Sequence, residues 1–191
     1  MNKKIIVIIT SAILVILLIV VGTLWIKAYN GATKAKNIVS QEKTKIYTAY
    51  SGRYDKVFAF IDAIESANAQ INTQIDAIMA ARTAFANALG RKDYDEAEEK
   101  TEIIESTFIS LVSYLEDNPA AWNTIGLTSG FMAEFSASTN AVTFAINNYN
   151  EKVATYNILV SIFPNKLFLG GFKEIDDYVV PIFETTLPTF N

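Results

Sequence analysis

Between Ile5 and Ile26 the chain runs IIVIITSAILVILLIVVGTLWI, twenty-two consecutive positions without a charged side chain. A helix of that length rises ~33 Å at ~1.5 Å per residue, enough to cross a bilayer hydrocarbon core of ~30 Å. The stretch therefore reads as a membrane anchor, and the rest of the chain as a water-soluble helical part tethered by one segment. Lys3 and Lys4 precede the run, as they do in a secretory signal peptide. The run is longer than the usual ~7 to 15 residue apolar region of such a peptide, and no A-x-A-like site comes before Trp25 and Lys27, so an uncleaved anchor is expected.

Trp25 and Tyr29 fall where amphipathic rings prefer the headgroup level. Two basic residues stand on the amino side of the span and five on the carboxyl side through Lys45, which by the positive-inside rule puts the large domain in the cytoplasm. The expectation is a single-pass protein of the inner (cytoplasmic) membrane, touching lipid headgroups through Lys3, Lys4, Trp25, Lys27, Tyr29, Lys34 and Lys36. The chain divides into a leader (1–4), the anchor (5–27), a helical bundle (28–163) and a carboxyl-terminal tail (164–191).

Composition narrows the chemistry. The chain has no cysteine and no histidine. The first absence removes disulfides, thiolate metal sites and a lipidation cysteine; the second removes the usual base near neutral pH and the commonest metal ligand. Lys27 to Arg53 carries six basic residues against Glu42 alone, whereas Tyr54 to Asn191 carries eight basic and nineteen acidic residues. A basic collar thus sits under an acidic body, which disfavours nucleic acid as a partner.

Beyond the anchor the pattern is helical. Tyr50, Tyr54, Val57, Ile61, Ile64, Ile71, Ile75, Ile78, Phe85 and Leu89 occur at steps of three and four, interrupted by Asn68 and Arg82. The phase permits one long helix from Ala32 to Leu89, with the polar stretch Glu65 to Gln70 as the alternative turn. A continuous helix would be ~87 Å long, and no later element could cover it, so the turn is preferred. Gly90 suits a helix end, and Asp93 with Glu96 suits the start of the next helix, which carries Tyr94, Ala97, Ile104, Phe108, Leu111 and Leu115 to a stop at Asp117-Asn118-Pro119. A last helix from about Ala120 has the packing seam Phe135, Val142, Ile146, Tyr149, Val153, Tyr156, Val160 and Phe163, closed by Pro164. The fold class predicted is all-α: one transmembrane helix, then an antiparallel four-helix bundle of two long and two shorter helices, then an irregular apolar tail. The tail is too apolar for disorder; it packs along the bundle, or touches lipid or a neighbouring copy.

Several short runs resemble one family. Tyr29-Asn30 with Asn37 and Val39, Arg53-Tyr54-Asp55 with Val57 and Ile61, Ala81-Arg82, the paired Tyr149-Asn150 and Tyr156-Asn157, Phe163-Pro164-Asn165 and Pro188-Thr189-Phe190 are together similar to LemA family proteins over essentially the whole chain. The resemblance implies an amino-terminal anchor, a four-helix bundle and a non-enzymatic role connected with membranes. Phe58 and Ala59 stand where the family usually has proline and asparagine, which removes the reason to expect a kink there.

The remaining candidates for chemistry have plainer readings. Asp93, Asp95, Glu96, Glu98, Glu99, Glu102 and Glu105 cluster, but a di-iron bundle uses Glu-x-x-His pairs and this chain has no histidine, so a solvated helix face is expected. Gly126, Gly130 and Gly170-Gly171 form no phosphate-binding loop. Tyr149 and Tyr156 belong to the seam, with Asn150 and Asn157 placed to bond across helices. No catalytic, cofactor or metal site is predicted. The expected function is a non-enzymatic, self-associating membrane scaffold with lipids and further copies of the chain as partners. The alternative is an accessory subunit presenting an acidic face to another membrane protein, such as a protease or sensor.

Overall fold

The computed structural model describes residues 3–65, 71–118 and 129–179. Among these, five helices and no strand occur: α1 (Lys3–Glu65), α2 (Asn72–Arg91), α3 (Tyr94–Asp117), α4 (Ser129–Ser161) and the short α5 (Asn165–Phe168). The anchor and the first bundle helix are one uninterrupted element, since nothing between Ile26 and Glu65 breaks α1. The predicted turn after Glu65, the stop at Pro119, the start of the last helix before Ser129 and the tail from Val180 onward lie outside the described residues.

One helix, α1, is long and apolar enough to cross a membrane, and none of its most apolar window is buried within the protein. The two threonines of its uncharged stretch are provided for internally: Thr10 donates to the Ile6 carbonyl and Thr23 to that of Ile19, at 3.0 and 2.8 Å. Hydroxyls bonded back to their own helix can sit in hydrocarbon without an unmet polar group.

The chain packs as two compact units. One comprises Met1–Glu42 with Tyr149–Asp177, the other Lys43–Asn148 with Tyr178–Asn191. The second unit is the four-helix bundle, and its contacts fix the directions of its helices. Arg53 meets Thr139 while Lys56 meets Glu134, so α4 runs antiparallel to α1. Arg82 meets Asp55 and Phe85 packs on Tyr54, so α2 is antiparallel as well. Tyr47 stacks on Tyr94 and Phe60 packs edge-on against Phe108, so α3 is parallel to α1. The core is the predicted seams brought face to face: Tyr50, Tyr54, Val57, Ile61 and Ile64 of α1, Ile75, Ile78 and Phe85 of α2, Ile104, Phe108 and Leu111 of α3, and Phe135, Val142 and Ile146 of α4 are all buried. Each large side chain so buried contributes ~1.5 to 3 kcal/mol of transfer free energy.

Local signals settled two of the joints. Asp93 caps α3 by accepting a hydrogen bond from the Glu96 amide at 3.2 Å, as its spacing predicts. Gly90 is not the end of α2: the helix continues to Arg91, and Lys92 takes the left-handed conformation (φ 59°) with its amide bonded to Ala88 and Leu89 carbonyls. Phe58 is buried within uninterrupted helix, and the Arg82 guanidinium lies 4.0 Å from its ring centroid. That contact explains why an arginine interrupts the α2 seam.

Candidate membrane interface and a buried polar cluster

The first unit holds every residue expected at the membrane. Lys3 and Lys4 open α1, Trp25 stands at the end of the apolar stretch, and Lys27, Tyr29, Lys34 and Lys36 come after it, all exposed on the helix surface. Trp25 and Tyr29, one helical turn apart, bring their rings to 6.2 Å. The sequence pattern did not show what else meets them. Phe172 packs edge-on against Tyr29 at 5.4 Å. A groove of about 400 Å³ is lined by Leu24, Lys27, Ala28 and Gly31 of α1 on one side and Leu159, Pro164, Asn165 and Phe168 on the other. The apolar content of residues 167–172 was the available signal; which side of which helix it covers depends on packing.

The seam of α4 divides between the units as its period dictates. Phe135, Val142 and Ile146 are buried in the bundle, and Tyr149, Val153, Tyr156 and Val160 in the first unit. Phe163 corrects the sequence expectation. The helix ends at Ser161, two residues earlier than the period suggests, and Phe163 points outward from the next turn, 80% exposed. Pro164 does stop α4, and it then caps the one-turn α5.

The asparagine of the second Tyr-Asn pair also differs from expectation. Asn157 does not bond across helices. Its amide donates to the Ile175 carbonyl at 2.8 Å and its carbonyl accepts the Ile175 amide at 2.9 Å, the two bonds of a strand partner. Tyr156 adds a bond to the Lys173 carbonyl at 2.9 Å. The described part of the tail is thereby strapped to α4, as the packing alternative predicts.

In the bundle, the acidic cluster is mostly a solvated face, with one exception. Glu105 is buried, and so is Arg53, whose side chain is 0% exposed. Arg53 donates from Nε and Nη2 to the two Glu105 carboxylate oxygens at 2.8 and 2.9 Å, and from Nη1 to the Thr139 hydroxyl. The Thr139 hydroxyl in turn donates to the Phe135 carbonyl, and the guanidinium stacks over the Phe135 ring at 4.9 Å. A fork-to-fork pair of this kind satisfies both charges in low dielectric. It ties three helices together at one level, and it removes Arg53 from the basic collar.

Sequence reasoning missed both, placing Arg53 in the basic collar and Glu105 on the solvated face; the available signal was their position beside the seams. Arg53 lies between Tyr50 and Tyr54 of one seam, and Glu105 between Ile104 and Phe108 of another. Two opposite charges at core positions are a signal, but their pairing across fifty-two residues is visible only in the fold. Above this pair, the buried Tyr50 and Tyr54 stack at 5.7 Å, with Tyr178 facing Tyr50 and Thr101 facing Tyr54. Burial, more than any neighbouring charge, pushes the hydroxyls of both well above the ordinary tyrosine range.

The family model described as LemA family matches residues 42–187. No curated protein and no solved structure matches the chain.

Proposed function

The chain belongs to the LemA family, and from that premise we propose that it is a non-enzymatic scaffold of the bacterial cell membrane, anchored by α1 with its bundle in the cytoplasm, that self-associates through the bundle. Family membership and the single apolar amino-terminal helix fit a membrane-anchored protein. The observation that carries the scaffold reading is the outer face of α4 within the bundle. From Phe135 to Asn148 no side chain is charged, and Ala137, Asn140, Ala141, Phe144 and Asn147 of this stretch are exposed. Phe144 stands 67% exposed at its centre. Charge depletion around an aromatic residue is the composition of an interface core. The bundle's own buried charges are spent on holding α1, α3 and α4 together, which suits a protein whose interior serves structure. Full-length protein purified in detergent should form oligomers that a Phe144→Glu substitution dissociates; only monomers across a wide concentration range would refute self-association.

The second reading, an accessory subunit of another membrane protein, draws on α3. Asp95, Glu99, Glu102, Glu116 and Asp117 are exposed along it, with Lys100 the one basic residue of that helix. Crosslinking in cells that recovers no heterologous membrane protein at α3 would set this reading aside.

A further inference from the structure

We propose that the turn Ile162–Leu167 is a second membrane contact, seated in the interfacial layer of the leaflet from which the anchor emerges. The inference rests on the reading of α1 as a membrane anchor and adds to it a lipid-facing surface remote in sequence. Its basis is register within the first unit. Gly31 faces Leu159, and Pro164, Asn165 and Phe168 line one groove with Leu24, Lys27 and Ala28. The turn therefore stands at the height of the last apolar turn of the span, where α1 itself passes from hydrocarbon to headgroups. A side chain pointing outward at that height has lipid beside it, whichever leaflet is involved.

The residues suit that position. Phe163 and Leu167 are 80% and 71% exposed, and Ile162 is exposed beside them. They are not displayed by a loose loop. The Lys166 amide bonds to the Ile162 carbonyl at 2.9 Å, the Leu169 amide to the Asn165 carbonyl at 3.0 Å, and the Asn165 side chain to the Leu159 carbonyl at 3.1 Å. Internally bonded backbone is what an element entering the lipid boundary requires. Charge is ordered along the same direction. Lys27 and Lys166 flank the apolar tip, where anionic headgroups attract them. The acidic Glu174, Asp176 and Asp177 come only after Phe172 has reached Tyr29, where the chain is strapped to Tyr156 through Lys173 and to Asn157 through Ile175, farther from the span. Apolar tip, basic flank and acidic retreat match a bilayer surface, and continuity with the span selects lipid over a second copy as the occupant.

The absence of native cysteine makes site-directed labelling unambiguous. Phe163→Cys, Leu167→Cys, Val15→Cys and Ser110→Cys variants of the full-length protein, each carrying one nitroxide, are reconstituted into vesicles of phosphatidylcholine and phosphatidylglycerol. Val15 reports the anchor and Ser110, exposed on α3, reports water. The expected result at 163 and 167 is collision with lipid-soluble oxygen exceeding that with a water-soluble nickel chelate, at a depth of ~5 to 10 Å. Water-like accessibility at 163 and 167 with lipid-like accessibility at 15 overturns the proposal and leaves the anchor standing. Protection from both reagents at 163 and 167 places protein over the turn and overturns it equally. Water-like accessibility at 15 overturns the anchor and, with it, this inference.

Discussion

Replacing Glu105 by leucine should be among the most damaging single changes in the bundle, and the reason can be worked from the Arg53 site. Arg53 has no exposure to solvent, and its guanidinium is a fork of five N–H donors with no acceptor. Without Glu105 its guanidinium loses the bidentate carboxylate that balances its charge, and a neutral hydroxyl such as Thr139 does not replace that charge. Breaking one side of a buried pair costs ~3 to 5 kcal/mol, because a charge is left uncompensated in low dielectric. For a chain of this size that lowers the midpoint of thermal unfolding by ~6 to 20 °C. Near-ultraviolet circular dichroism of the full-length protein in detergent reads the melt through the packed tyrosines. The decisive variant is the double one, Arg53→Met with Glu105→Leu. Exchanging a buried pair for apolar groups of similar volume is often neutral or stabilising, so the double variant should recover most of what either single change loses. A Glu105→Leu midpoint within a degree or two of the parent, or a double variant as unstable as the two single changes summed, would refute the account of the pair as a closed, desolvated unit.

Other consequences are simpler to state. Lys92→Gly should stabilise the bundle by ~0.5 to 1 kcal/mol, since glycine adopts the left-handed conformation after α2 without the steric cost that lysine bears, and a thermal melt measures it. Asn157→Ala removes both bonds to Ile175, so amides of the tail strap should exchange with solvent faster while those of the bundle core keep their rates, as hydrogen exchange will show. The raised Tyr50 and Tyr54 values fix a pH dependence. Both are neutral in folded and unfolded chains below pH ~10, so their contribution is complete there; above it only the unfolded chain ionises, and stability falls by about 1.4 kcal/mol per pH unit for each tyrosine until the folded values are reached. Urea midpoints between neutral pH and pH 11 test this, with a Tyr50→Phe and Tyr54→Phe variant expected to show the shallower slope.

The helices, their polarity and the seams were legible in the sequence because each is a local property. Steps of three and four marked Tyr50 through Phe85 and Phe135 through Val160, Asp93 announced the start of α3, and one uncharged stretch announced α1. Where reading failed, the deciding partner lay far along the chain. Glu105 looks like its exposed neighbours Glu99 and Glu102 until Arg53 arrives from α1. Phe163 continues the seam period perfectly, yet the helix has already ended, and the turn beyond it leaves that ring uncovered. Asn157 is placed to bond to another helix, but the returning tail reaches it first.

By itself the sequence determined which segments are helical, which stripe of each is apolar, and that one segment is apolar all round. These properties arise from a periodicity that every residue shares with neighbours three or four positions away. Only the tertiary structure decided which charges go inside and which hydrophobic residues stay out. Burial of Arg53 and Glu105 is tolerable because each is the other's partner, and Phe163 and Leu167 stay exposed because the turn after α4 carries them past the packed seam, beside α1. Both are relations between residues brought together by folding, and no local pattern carries them.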